Sequence, residues 1–171
     1  MMVTAERLIE HFGLKPLSVE GGYFKQTYCA AETVKKEALP GRYGSEKFFG
    51  TAIYYLLSAD ADSFSALHRL PTDEIHHFYL GDPVEMLLLE PDGESRRVIL
   101  GPDVLAGQHV QLVVPRDVWQ GARLVAGGRF ALLGATMAPG YDDADYESGD
   151  RSELCRLYPE HAALIRSLTR S

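Results

Sequence analysis

Short apolar runs with a two-residue alternation, broken by Gly and Pro at spacings of roughly ten residues, constrain this 171-residue chain more than any other feature. The runs are Gly21 to Tyr28, Phe48 to Leu57, Ser63 to His68, Glu74 to Leu80, Val84 to Glu90, Arg96 to Leu100, Gly107 to Pro115, Val118 to Val125 and Arg129 to Ala138. Their aromatic and β-branched residues suit a pleated, half-buried surface. Pro91-Asp92-Gly93 and Gly127-Gly128 are tight-turn signals between them. Runs this short and this numerous predict an all-β sandwich or jelly roll.

Helices are expected only at the ends, packed outside the barrel. Thr4 is an N-cap ahead of Leu8, Ile9 and Phe12 on one face, and Gly13 is the stop. A final helix is expected from about Pro159 to Leu168. The polar stretch from Ala31 to Lys47 reads as a long loop, and the acidic run Asp142 to Asp150 as another, either solvated or lying over the barrel mouth. With no repeat and no linker, the expectation is one domain over 1–171. Its barrel spans about 17–138, and the acidic loop and final helix fill 139–171.

The formal net charge of −7, with 17 Lys+Arg against 24 Asp+Glu, gives no concentrated basic face. Nucleic acid and anionic membrane are therefore not expected partners. No apolar run approaches the length of a membrane span, and Met1 to Arg7 lacks the basic start and apolar core of a signal peptide. The cytoplasm is the expected compartment, where Cys29 and Cys155 are expected as free, buried thiols.

The segment His68-Arg69-Leu70-Pro71-Thr72-Asp73-Glu74-Ile75-His76-His77-Phe78 concentrates groups that carry chemistry. Side chains alternate along a strand, so Glu74, His76 and Phe78 share one face and Ile75, His77 and Tyr79 the other. If Glu74 points inward, His76 follows roughly 6.6 Å along. His68, Glu74 and His76, with Gln120 as a fourth group, would then suit one divalent transition metal, Zn, Ni, Mn or Fe. Equally, Glu74 would fix a histidine tautomer and give a metal-free acid/base pair. One hydroxyl of Tyr54-Tyr55 is a further candidate, with Tyr54 chosen as the pocket residue. His77 is expected to face outward, and His109 and His161 carry no functional signal.

Two motifs resemble those of the cupin superfamily. In the first, His68, Glu74 and Gly81 are in register, and Leu70 stands where a second histidine is usual. In the second, Pro115 fits, Asp117 replaces a glycine and Gln120 replaces a histidine. With Glu20-Gly21-Gly22-Tyr23-Phe24, Thr51 to Leu57, Phe64 to Arg69, Asp73 to Tyr79, Gly81-Asp82-Pro83 and Pro139-Gly140-Tyr141, the chain resembles the DUF985 (Cupin_5) family. The resemblance implies a double-stranded β-helix barrel, a homodimer, and a small-molecule pocket built on His68 and Glu74 with His76, Phe78, Gln120 and Tyr54. It leads one to expect Trp more often than His at position 76.

Three functions stay open at this level. The first is a sugar or polar-metabolite epimerase or isomerase using His68 and Glu74 for proton transfer. The second is a metal-dependent enzyme on His68, Glu74, His76 and Gln120. The third is a binding protein without catalysis. The apolar run from Phe48 to Leu57 is the expected edge that pairs across a dimer.

Overall fold

A computed structural model describes residues 2–60 and 62–170, so Met1, Ala61 and Ser171 of the expected single domain lie outside the description. In chain order the elements are α1 (Ala5–Phe12), β1 (Lys15–Pro16), β2 (Tyr23–Cys29), β3 (Thr33–Val34), β4 (Lys47–Phe48), β5 (Thr51–Ser58), β6 (Ser65–Arg69), β7 (Glu74–Gly81), β8 (Val84–Leu89), β9 (Ser95–Leu100), β10 (Gln111–Val114), β11 (Trp119–Leu124), β12 (Phe130–Met137), β13 (Glu147–Ser148), α2 (Arg151–Leu157) and α3 (Ala162–Ser167). Two antiparallel sheets, ordered β1-β2-β5-β12-β7-β10 and β13-β6-β11-β8-β9, face each other as a jelly roll, and β3-β4 forms a small hairpin outside them.

The period-two pattern decides what each face buries. Tyr55, Leu57, Leu112, Val114, Ala131 and Leu133 of the first sheet meet Val84, Met86, Leu88, Val98, Leu100 and Ala122 of the second. The opposite faces carry the helices. α1 lays Ala5 and Leu8 on Leu56, Phe130 and Leu132, whereas Leu154 of α2 and Ile165 of α3 cover Leu67, Leu87 and Leu89. Thr4 Oγ1 accepts from the Arg7 amide and Gly13 closes α1 at φ 64°, both as the sequence indicated.

Several expectations need correction. The run from Phe48 to Leu57 is not one edge strand. Gly50 separates β4 from β5, and β5 lies between β2 and β12, with no free edge to offer a second chain. The C-terminal helical region is in two parts, because Asp150 caps an additional helix, α2, through the Glu153 amide. Both thiols are free, but neither is buried: Cys29 is exposed and Cys155 half-buried. The loop from Ala31 to Lys47 contains β3 and buries Tyr43 and Lys47.

Two left-handed positions fix the turns around the site. At Gly81 (φ 107°) a Cβ would run into the Phe130 carbonyl, so only glycine lets β7 turn into β8. Asp117 adopts φ 67°, the one non-glycine residue with positive φ among those described. The glycine that the second motif calls for is thus a conformational requirement, which aspartate meets at some cost.

Candidate functional site

The two sheets meet at four buried polar side chains. His68 (β6) and Gln120 (β11) are register partners in one sheet, and Glu74 and His76 sit on β7 of the other. Their exposures, 2% for His68, 2% for Gln120, 8% for Glu74 and 9% for His76, put all four out of bulk water. Buried polar groups need partners. Here they find one another.

His68 Nδ1 lies 2.8 Å from the Ala66 carbonyl, which only accepts, so this nitrogen carries a proton. Nε2 is then turned inward, 4.0 Å from Glu74 Oε2. Gln120 Nε2 donates to Glu74 Oε2 at 2.8 Å, which leaves its Oε1 facing His76. His76 Nε2 donates to that oxygen at 2.8 Å and lies 3.6 Å from Glu74 Oε2. The carboxylate thus orients the amide, and the amide selects the His76 tautomer. Phe78, two residues beyond His76 on the same face, packs against the apolar interior.

Glu74, Gln120 and His76 form a hydrogen-bonded chain with His68 4.0 Å from its carboxylate, and their atoms are the ones a metal would need. Ligation by His76 Nε2 requires its lone pair, and here that nitrogen is a donor. Among the described residues no group of three or more His, Cys, Asp or Glu side chains has metal-binding geometry. As arranged, the residues do not fit a metal centre.

Tyr54 is not brought to the site. It faces away from the interior, its ring 4.8 Å from that of Phe12 and 5.9 Å from that of Tyr79. Tyr55 points inward instead and donates its hydroxyl to the Gly21 carbonyl at 2.9 Å. His77 faces outward as expected, bonded to Thr136 Oγ1. Burial and the neighbouring His76 charge hold its pKa below the ordinary histidine range.

The acidic loop supplies what the sequence reading left out. Tyr146 stacks on His68 with ring centroids 4.9 Å apart and planes 18° apart. Its segment is tied down by Lys47, only 2% exposed, whose ammonium lies 2.7 Å from Asp145 and 3.4 Å from Asp142. β13 then pairs with β6, setting Ser148 opposite His68, and Arg69 grips Glu147 with two bonds of 2.8 Å. Asp145 and Glu147 line an outer cleft of about 590 Å³, together with Arg42, Arg69 and Asp117. Tyr146, between them in sequence, covers His68 with its ring.

Glu20 is a second carboxylate acting on the tyrosine rings. It accepts from Ser65 Oγ at 2.5 Å, and its charge acts on the hydroxyls of Tyr55, Tyr141 and Tyr146. Burial first, and then Glu20, push the Tyr55 and Tyr146 hydroxyls well above the usual tyrosine range. The Glu20-Gly21-Gly22 and Pro139-Gly140-Tyr141 segments already carried the family resemblance, and they were the available signal for these groups.

A profile described as "Cupin superfamily (DUF985)" matches residues 6–149. An uncharacterized protein of Saccharomyces cerevisiae is 30% identical over 159 residues, covering 87% of this chain and 78% of that protein. The solved structure of a hypothetical protein from Leishmania major superposes with a TM-score of 0.85 at 29% identity, covering 99% of this chain and 100% of that one. A Shewanella oneidensis protein gives a TM-score of 0.84 at 29% identity, covering 99% of each chain.

Proposed function

This chain belongs to the Cupin superfamily (DUF985), and from that premise we propose that its barrel binds a neutral polar small molecule, a sugar or a close chemical relative, and isomerises or epimerises it by proton transfer. The observation that carries the reading is the setting of His68. Its ring is fixed by Nδ1 on the Ala66 carbonyl and by the Tyr146 face, with Nε2 turned inward toward Glu74.

In this reading His68 Nε2 takes a proton from a carbon next to a carbonyl, and Glu74, 4.0 Å away, stabilises the imidazolium that forms. Delivery of that proton to the neighbouring carbon, with the hydroxyl proton of that carbon passing to the former carbonyl oxygen, gives an isomer. Return to the opposite face of the same carbon gives an epimer, so atoms balance. Gln120 and His76 keep Glu74 oriented through the 2.8 Å bonds already described. The test is a screen of sugars and sugar nucleotides in deuterium oxide, followed by NMR. Deuterium entering a carbon-bound position with the parent protein, and not with His68→Ala, supports the reading. Binding with no exchange in any compound supports the alternative, a non-catalytic binding protein.

A metal-dependent form of the same chemistry would place His68, Glu74, His76 and Gln120 around one divalent transition metal, Zn, Ni, Mn or Fe, and requires the His76–Gln120 bond to break. Elemental analysis of untagged protein, purified without chelator beside His68→Ala, decides it. About one metal ion per chain, lost in the variant, favours this form. A homodimer is part of the proposal, and a monomeric mass by light scattering at micromolar concentration would count against it.

A further inference from the structure

Tyr146 stands apart from every other buried polar side chain. Among the described residues its Oη is the one buried side-chain nitrogen or oxygen that makes no hydrogen bond. Other enclosed tyrosines are satisfied: Tyr43 bonds Thr72 at 2.7 Å, Tyr55 donates to the Gly21 carbonyl at 2.9 Å, and Tyr158 to the Glu90 carbonyl at 2.6 Å. Folded chains pair such groups almost without exception, so an orphan points to a partner outside the chain.

With the Ser148 side chain close enough to act on it, the strap holds the phenol in place. Its ring lies flat on His68. On one side Asp145 is held by Lys47 at 2.7 Å; on the other the Gly149 amide donates to the Leu67 carbonyl at 2.7 Å and Ser148 is in register with His68. The strap therefore delivers one hydroxyl, rigidly, beside the groups assigned to proton transfer.

We infer that the Tyr146 hydroxyl is a specificity-determining group, donating a hydrogen bond to an uncharged oxygen of the molecule bound against His68. This inference rests on the proposed small-molecule role of the barrel and adds the chemistry of one contact. Burial first, and then the charge of Glu20, outweigh Ser148 and Arg170, which act the other way, and with Glu74 keep the phenol protonated, so it donates. Together the Glu20 and Glu74 charges outweigh that of Arg170 and disfavour an anionic group there, which leaves a hydroxyl, ring or carbonyl oxygen as the acceptor. A ligand lacking that oxygen is discriminated against, because the phenol hydrogen again goes unmatched.

The test compares Tyr146→Phe, which keeps the stacked ring and removes only the hydroxyl, with Tyr54→Phe on the helix-covered face. Without ligand, Tyr146→Phe is expected to melt at the parent temperature or slightly above it. A drop of several degrees would show that the hydroxyl has a partner within the chain and would overturn the inference. In ligand-observed NMR with glucose, galactose, mannose and their methyl glycosides as probes, any sugar that binds the parent is expected to bind Tyr146→Phe about tenfold more weakly. Tyr54→Phe should bind it as the parent does. Equal affinity for the parent and Tyr146→Phe also overturns the inference. If no probe binds the parent, the sugar form of the proposed function fails, and the assignment of Tyr146 is decided by the melting comparison alone.

Discussion

His76 on one sheet donates to Gln120 on the other across 2.8 Å, and Gln120 donates back to Glu74 at 2.8 Å, so one amide ties the two layers at the site. Replacing Gln120 by Leu strands the His76 donor and removes the amide that neutral and charged partners share. The expected loss is about 2–4 kcal/mol, since a buried donor and a buried carboxylate are both left short. Urea denaturation measures it, and a loss under about 0.5 kcal/mol would mean that this network holds nothing together.

Lys47 makes a comparable prediction at the strap. Lys47→Met leaves Asp145 enclosed without its cation, whereas Asp142 keeps partial access to water. The cost is about 2–4 kcal/mol, with the strap loosening before the barrel does. Limited proteolysis should cut the variant between residues 142 and 150 faster than the parent, and an unchanged cutting pattern would contradict the tether.

Asp117 offers a gain. Its φ of 67° is one that glycine adopts freely, and its own amide bond to the Leu70 carbonyl survives any substitution. Asp117→Gly should stabilise the fold by about 0.5–1 kcal/mol, or roughly 1–4 °C in melting temperature. Calorimetry checks the sign.

Glu85 governs part of the acid response. Burial pushes its carboxyl up, but Arg97 and Arg123 outweigh that and hold it below the usual carboxylate range. Its folded pKa is thus lower than its unfolded value of about 4.3, so the stabilisation is present above that pH and fades as pH falls through the folded value. Both guanidiniums are half exposed, which keeps the effect near 1 kcal/mol. Stability curves of the parent and Glu85→Gln should lie apart at pH 7 and draw together as pH falls below the unfolded value of about 4.3.

The strands were legible because alternation is local, and so were His68, Glu74, His76 and Gln120, whose spacing places them on inward faces. Of the adjacent Tyr54 and Tyr55, no local pattern said which turns inward; the structure turns Tyr55 in and lays Tyr54 on Phe12. The central position of β5 was not legible at all, since the order of strands in a sheet follows from long-range pairing that no local pattern records. The same holds for the strap. Lys47 and Asp145 are 98 positions apart, and Glu20 and Ser65 are 45 apart. A charge run such as 142–150 says only that something must neutralise or solvate it. Which cation does so is decided by the barrel.

β13 is only two residues long, yet it occupies the outer flank of β6. Lifting it away would uncover backbone donors and acceptors on a strand next to apolar Leu67, a surface that invites cross-chain β-pairing and aggregation. Admitting a ligand by that route would therefore expose the chain to self-association, which the short, tethered β13 guards against.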